Sequence, residues 1–191
     1  MKLQRRQGLY RHIFRFVCIV FIFNVAVVFN PTTVMAKFNP MSFFEKNTTF
    51  FFDFKMLRTQ WFAVEDRISS IKDVHEPVDW GEIRDSAKEV VMKHERLMVK
   101  FAKNCILPRR KLPPDEAAIA QHAIEIVMEY LDSVGLVVLK LYEISEKLLK
   151  KTQDPYSYTM SDYNDDFRHF RELNEAFEKK GKAVNQLLYG K

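Results

Sequence analysis

The sequence contains few cysteines and few glycines, and both shortages restrict what the protein does. Of two cysteines, Cys18 lies inside the export segment described below, so Cys105 alone remains afterwards and an internal disulfide is excluded. Cys105 falls on an apolar helical stripe, which indicates a small buried side chain, and pairing with another chain is the alternative. With only five glycines, the sequence has no Gly-x-Ser-x-Gly turn and no phosphate-binding glycine loop. These absences favour a protein that is not an enzyme.

An excess of positive charge is also lacking once the N-terminal segment is set aside. The whole chain has 30 Lys and Arg against 25 Asp and Glu, but residues 1–36 hold five of the cations and no acid. From residue 37 onward the chain is therefore formally neutral. Because a duplex-binding protein relies on a clustered basic surface, this balance argues against nucleic acid as a partner.

Residues 1–36 have the composition of a secretory signal peptide with an apolar signal helix. Residues 1–15 are basic, residues 16–29 are almost all apolar, and residues 34–36 suit a cleavage after Ala36. Cations before the apolar run favour translocation of everything after it. We therefore predict a periplasmic or secreted protein; the alternative is a membrane anchor formed by residues 13–29, with the rest outside the cytoplasm.

Apolar residues recur at alternating spacings of four and three in four later segments. These segments predict helices over about residues 49–75, 79–106, 114–151 and 161–189. Asp79 is expected to cap the second helix, and Ser161 or Asp162 the last. Because the connections are short, each helix has to turn back along its predecessor. The predicted fold class is all-α, an up-down-up-down four-helix bundle over residues 49–191 with coiled-coil-like packing.

The histidines suggest a polar layer inside this bundle. Folding the chain near Arg110 places His94 at the height of Ile126, within about one turn of three polar residues of the third helix, and Trp61 reaches the same level. The predicted layer consists of His94, His122, Glu125, Glu129 and Trp61. One interpretation is a core histidine bonded to Glu125 or Glu129. The alternative is a site for a metal ion, non-covalent haem or a small molecule.

Metal and haem signatures are nevertheless absent from the sequence. No Glu-x-x-His occurs in the predicted helices, which argues against a di-iron site, and no Cys-x-x-Cys-His occurs, which excludes covalent haem. The leading expectation is therefore a protein without a cofactor.

Phenylalanine is concentrated in the N-terminal segment, residues 37–48, and at the start of the first predicted helix. A helix stripe has no room for all of these rings. Either the segment folds over the end of the bundle and buries them, or they form an apolar patch for a partner protein or the outer face of a membrane. The candidate partner-binding residues here are Phe43, Phe44, Phe50, Phe51 and Phe52.

A basic turn between prolines is the second candidate surface, formed by Arg109, Arg110 and Lys111. One interpretation is that this exposed turn docks an acidic partner. The alternative is that the opposite charge balance of the two helices it joins, nine cations and five acids in residues 79–111 against four and seven in residues 115–151, favours their antiparallel pairing. Together these features predict an exported, non-enzymatic helical bundle that binds another protein, as an inhibitor, an immunity-type protein or a component of an envelope assembly. Membrane contact is expected only through the N-terminal segment, and the formation of a homo-oligomer is an open alternative.

Overall fold

A computed structural model of the chain describes residues 38–190, which form five helices and no strand. They are α1 (Pro40–Asn47), α2 (Phe50–Ser69), α3 (Trp80–Arg110), α4 (Pro114–Lys151) and α5 (Met160–Tyr189). The predicted all-α class is confirmed for this part of the chain. The predicted signal segment, residues 1–36, lies outside the described residues.

Helix starts follow from capping side chains. The Asp79 carboxylate accepts the Glu82 N–H at 3.0 Å and begins α3 as predicted. At the start of α5 the cap is Thr159 and not Ser161 or Asp162. The Thr159 hydroxyl accepts the Asp162 N–H at 3.2 Å, while the Asp162 carboxylate accepts the Thr159 N–H at 2.8 Å. This reciprocal pair satisfies two backbone donors that the helix itself leaves unpaired.

Two helix ends differ from the predicted ones, and one helix was not predicted. α2 ends at Ser69 instead of about residue 75, because the Glu76 carboxylate accepts the N–H groups of Lys72 and Asp73 at 3.0 and 3.1 Å and holds a turn there. α3 continues to Arg110 instead of ending near residue 106. Pro108 lies in its last turn, where the missing N–H costs only one helical bond. The Phe-rich segment forms the additional helix α1, which Asn39 caps.

The core is built around α4, which packs against α2, α3 and α5. Three of its side chains, Leu131, Val134 and Val137, have no solvent exposure at all. All seven residues of the apolar stripe on α3 are buried: Ile83, Ala87, Val90, His94, Leu97, Phe101 and Cys105. α1 contacts each of the other four helices.

Specific polar contacts fix the register between helices. Lys93 donates to Gln60 at 2.8 Å between α3 and α2, and His94 Nε2 lies 2.7 Å from the Leu131 carbonyl oxygen between α3 and α4. Between α4 and α5, Lys140 donates to Asp166 at 2.7 Å. These contacts give the heights at which the candidate site residues meet.

Candidate functional site

Three of the five candidate phenylalanines are buried. Phe43, Phe44 and Phe50 are less than 9% exposed, and the rings of Phe44 and Phe50 lie 5.5 and 5.1 Å from the ring of Phe101. The structure therefore agrees with the alternative in which this segment folds over the helices. As a correction to the predicted partner site, these three rings offer no free surface because they fill the core between α1, α2 and α3.

The remaining two candidate phenylalanines differ from each other. Phe51 is half-buried and packs edge-on against Phe50 at 5.3 Å. Phe52 is 67% exposed on the outward side of α2. Only Phe52 keeps the exposed character that the partner hypothesis requires.

The basic turn lies at the C-terminal end of α3. Arg110 and Lys111 are exposed and Arg109 is half-buried. None of the three forms an ion pair within residues 38–190. Cations at this end interact favourably with the helix dipole, so the turn is compatible with the fold without any partner. Their charges remain available to an external anion.

His94 occupies a built interior site between α3 and α4. Because the Leu131 carbonyl can only accept a hydrogen bond, His94 Nε2 must carry a proton and donate it to this carbonyl. Burial lowers the pKa of His94, and the bond to Leu131 opposes this only in part. Gly135 leaves room for the ring, since a Cβ there would lie 2.7 Å from His94 Cε1. The imidazole thus joins two helices.

The predicted His/Glu layer does not assemble around His94. His122, Glu125 and Glu129 are exposed, and Trp61 is fully buried against Phe177, with ring centroids 5.1 Å apart. Within residues 38–190, no group of three or more His, Cys, Asp or Glu side chains is arranged to hold a metal ion. This corrects the layer predicted from the sequence.

The register explains the difference. His94 lies opposite Leu131 and not Ile126, because α3 runs on to Arg110 and the chain turns only at residues 111–113. A shift of five residues on α4 is about 7 Å, more than one helical turn. His94 therefore bonds to a backbone carbonyl, and neither Glu125 nor Glu129 is its partner.

A charged network around Asp166 was not predicted from the sequence. One carboxylate oxygen accepts from Lys140 at 2.7 Å, and the other accepts from Lys147 at 2.6 Å and from the Tyr158 hydroxyl at 2.8 Å. Burial raises the pKa of Asp166, but these three donors outweigh it and lower the pKa below its ordinary value. The network holds the loop between α4 and α5 in place.

An open depression of about 410 Å³ lies beside this network. Its lining is mixed in charge and consists of Lys147, Lys150, Ser157, Tyr158, Asp162, Asp165 and Asp166. Asp166 and Asp162 already accept hydrogen bonds from neighbouring side chains or the backbone. Because these carboxylates already bond to groups of the protein, we interpret the depression as part of the structure and not as a ligand site.

A second unpredicted contact joins the loop after α2 to the end of α4. Lys151 is only 5% exposed, and its Nζ lies 2.9 Å from His75 Nδ1. Since an ammonium only donates, this His75 nitrogen accepts the bond and carries no proton. The contact covers one end of the helices, and a sequence pattern gives no signal for it because the two residues are 76 positions apart.

Cys105 is fully buried, and burial raises the pKa of its thiol to about 12. A thiol with such a pKa is almost entirely protonated near neutral pH, and the thiolate is the reactive form. The position agrees with the interpretation of Cys105 as a core residue.

The outward sides of α3 and α4 carry an exposed apolar surface, hereafter the α3–α4 face. Its members are Met92 and Val99 on α3, 42% and 69% exposed, and Leu136 and Leu139 on α4, 55% and 37% exposed. Because α3 and α4 run in opposite directions from the contact of His94 with Leu131, Leu136 lies about 5 Å from Met92 along the helix axis and about 15 Å from Val99. No sequence pattern singles out these residues, since each lies off the repeating apolar stripe of its helix.

Comparisons with known proteins leave the fold and the sites to be judged on the structure itself. No protein-family model matches the chain, and no curated protein and no solved structure is significantly similar to it. Across residues 38–190, none of the helices combines the length and the apolar character needed to cross a membrane.

Proposed function

We propose that the protein is an exported, non-enzymatic helical bundle that binds another protein through the α3–α4 face. In this proposal α2 to α5 form an up-down-up-down four-helix bundle, and α1 packs across one end. The α3–α4 face is the observation that carries it. Four large apolar side chains on two adjacent helices stay exposed although each helix already buries a complete apolar stripe.

The charge around the face indicates the chemistry of the partner. Between residues 125 and 146 the exposed charged side chains of α4 are all acidic: Glu125, Glu129, Glu143 and Glu146. On α3 the exposed charged side chains one turn from Met92 or Val99 are of both signs: Lys88, Glu89, Glu95, Arg96 and Lys103. An apolar centre bordered by charged groups is the usual anatomy of a protein interface. The partner we propose carries an apolar patch with Lys or Arg on the side that meets α4. A second copy of this chain fits less well, because a two-fold contact through α4 would bring the acidic groups together.

The positions of the potential catalytic groups support a role in binding. Cys105 and His94 are both buried, the thiol has a pKa of about 12, and the imidazole is engaged with Leu131. Neither group can meet a dissolved substrate without local unfolding. The proposal therefore includes no cofactor, metal or catalytic residue.

Export is the other half of the proposal and rests on the composition of residues 1–36. A basic start, an apolar run and a suitable cleavage position are the three parts of a secretory signal. Fractionation of cells that express the full chain, with N-terminal sequencing of the product, tests it. A product that begins at Lys37 outside the cytoplasm supports a cleaved signal, and an intact cytoplasmic chain would refute export.

Site-specific photocrosslinking in the exporting cell tests the partner. A photoreactive residue at Val99 or Leu136 should give an adduct with one other protein, and the same residue at Tyr156 should not. Tyr156 is 92% exposed and lies in the loop after α4, so it is a matched control for exposure. The adduct should disappear when Leu139→Glu is combined with the probe at Val99. Adducts only between copies of this chain, or equal adducts at Tyr156, would contradict the proposal.

A further inference from the structure

Charge in residues 38–190 is divided along the length of the helices. A dividing level passes through three contacts: Gln60 with Lys93, His94 with Leu131, and Trp61 with Phe177. On the side of α1, residues 38–60, 93–131 and 177–190 hold 13 Lys or Arg and 8 Asp or Glu. On the other side, residues 61–92 and 132–176 hold 10 and 17. A nearly neutral chain thus has one positive half and one negative half.

The C-terminal part of α3 and the turn after it supply most of the positive charge. Residues 93–111 contain seven cations and a single acid, Glu95. Lys93 pairs with Glu89, and Lys100 pairs with Asp53 on α2. The other five form no ion pair within the described part of the chain: Arg96, Lys103, Arg109, Arg110 and Lys111.

Exposed apolar side chains lie among these cations. Leu107 is 58% exposed and directly precedes the basic turn. Phe52 is 67% exposed, and its neighbour Asp53 bonds to Lys100 at 2.7 Å, so the helical turn that carries Phe52 packs next to α3 near Lys100. Unpaired cations interleaved with exposed Leu and Phe are the composition that binds the interface of an anionic membrane.

We propose that the positive half docks on an anionic lipid surface, with Arg109, Arg110, Lys111 and Leu107 in contact with it. Two observations favour lipid over an acidic protein. The positive charge is spread over a whole half of the domain, as a flat surface requires. The negative half is repelled from the same surface, which orients the long axis.

This inference uses the exported location of the proposed function but not the α3–α4 face. Its test is done on vesicles, so its failure is separate from a failure of export or of protein binding. An environment-sensitive fluorophore is attached to Leu107→Cys in the full chain carrying Cys18→Ser. Cys105 stays unlabelled, because it is buried and its pKa is about 12. A probe at Tyr156→Cys reports on the negative half.

The probe at position 107 should shift to the blue with phosphatidylcholine vesicles that contain phosphatidylglycerol, and not with phosphatidylcholine alone. The probe at position 156 should not respond to either. Near an anionic surface each cation contributes about a factor of 5, so removing three in Arg109→Ala, Arg110→Ala, Lys111→Ala should weaken the response on the order of 100-fold. High salt should weaken it as well.

The matched control removes three exposed cations from the negative half: Lys72→Ala, Lys88→Ala and Lys150→Ala. It changes the net charge equally and should leave the response at position 107 unchanged. Equal loss in both triple variants, or equal binding to neutral vesicles, would overturn the proposal. A photocrosslinker at position 107 in the exporting cell distinguishes a membrane from an acidic protein as the partner of this half. Lipid adducts support docking on a membrane, and adducts with an acidic protein would overturn it.

Discussion

Replacing Gly135 by alanine tests whether the close contact between α3 and α4 depends on the missing side chain. Gly135 lies in the continuous helix α4, where alanine would normally be the better helix former. The new Cβ would lie 2.7 Å from Cε1 and 3.3 Å from both ring nitrogens of His94. Such contacts are too short for the ring to keep its position.

The expected magnitude combines three terms. Gly to Ala in a helix interior stabilises by about 1 kcal/mol. Overpacking in a filled core costs about 1–3 kcal/mol. If the ring moves, the bond from His94 to Leu131 is lost, which costs about another 1 kcal/mol or more because a buried polar group is left unpaired. We therefore expect Gly135→Ala to lower the free energy of unfolding by about 1–3 kcal/mol.

Urea denaturation followed by circular dichroism measures this change, and a double-mutant cycle identifies its cause. In a His94→Ala background the clash is absent, so Gly135→Ala should no longer destabilise and should gain about 1 kcal/mol from helix propensity. Gly181→Ala is a second control, since its Cβ would meet only Tyr130, at 3.3 Å. If Gly135→Ala destabilises equally with and without His94, the close approach of the ring is not the cause and the reasoning fails.

Three further outcomes follow from the structure. Because the folded-state pKa of His94 is lowered, the unfolded state binds the extra proton first, so stability should fall as pH drops through the unfolded value of about 6.5, and the pH profile of His94→Gln should lack this loss. Asp166→Asn should cost about 2–3 kcal/mol in urea denaturation because Lys140, only 11% exposed, loses its nearer carboxylate and keeps only Glu143 at 3.7 Å, whereas the exposed Asp165→Asn should cost at most about 0.5 kcal/mol. Phe44→Ala should lower the free energy of unfolding by about 3–5 kcal/mol and Phe52→Ala by at most about 0.5, measured in the same way.

The helices are predictable from the sequence because their signals are local. The alternating spacing of apolar residues marks α2 to α5, and the stripe on α3 is buried at every position. Asp79 and the prolines at residues 113 and 114 mark two of the starts. The apolar pattern does not predict the end of a helix where side-chain hydrogen bonds determine it. After α2, the Glu76 carboxylate determines this end. The pattern also misses α1, whose burial depends on rings in α3.

The candidate sites are less predictable because they depend on register. The His/Glu layer required the correct height of His94 against α4, and a turn displaced by a few residues moved it past Glu125 and Glu129. In the sequence, Gly135 is a single glycine inside the third predicted helix. Its role in admitting the His94 ring appears only when α3 is placed against it. If the predicted register between two helices is wrong by one turn, the apolar stripes are still predicted to be buried. The polar residues that were predicted to pair are then no longer opposite each other.

The distribution of charge also depends on how the helices are placed against each other. After residue 36 the numbers of acids and cations are equal, which argues against a surface that is basic throughout. A total count, however, does not say where on the folded chain these charges lie. Folding back at residues 111–113 leaves the basic part of α3 at one end together with α1, while the acid-rich residues 61–92 and 132–176 gather at the other. An antiparallel partner of opposite charge at each height would have cancelled this separation. It persists because five of the seven cations between residues 93 and 111 have no ion pair within residues 38–190, and their field therefore extends into solvent.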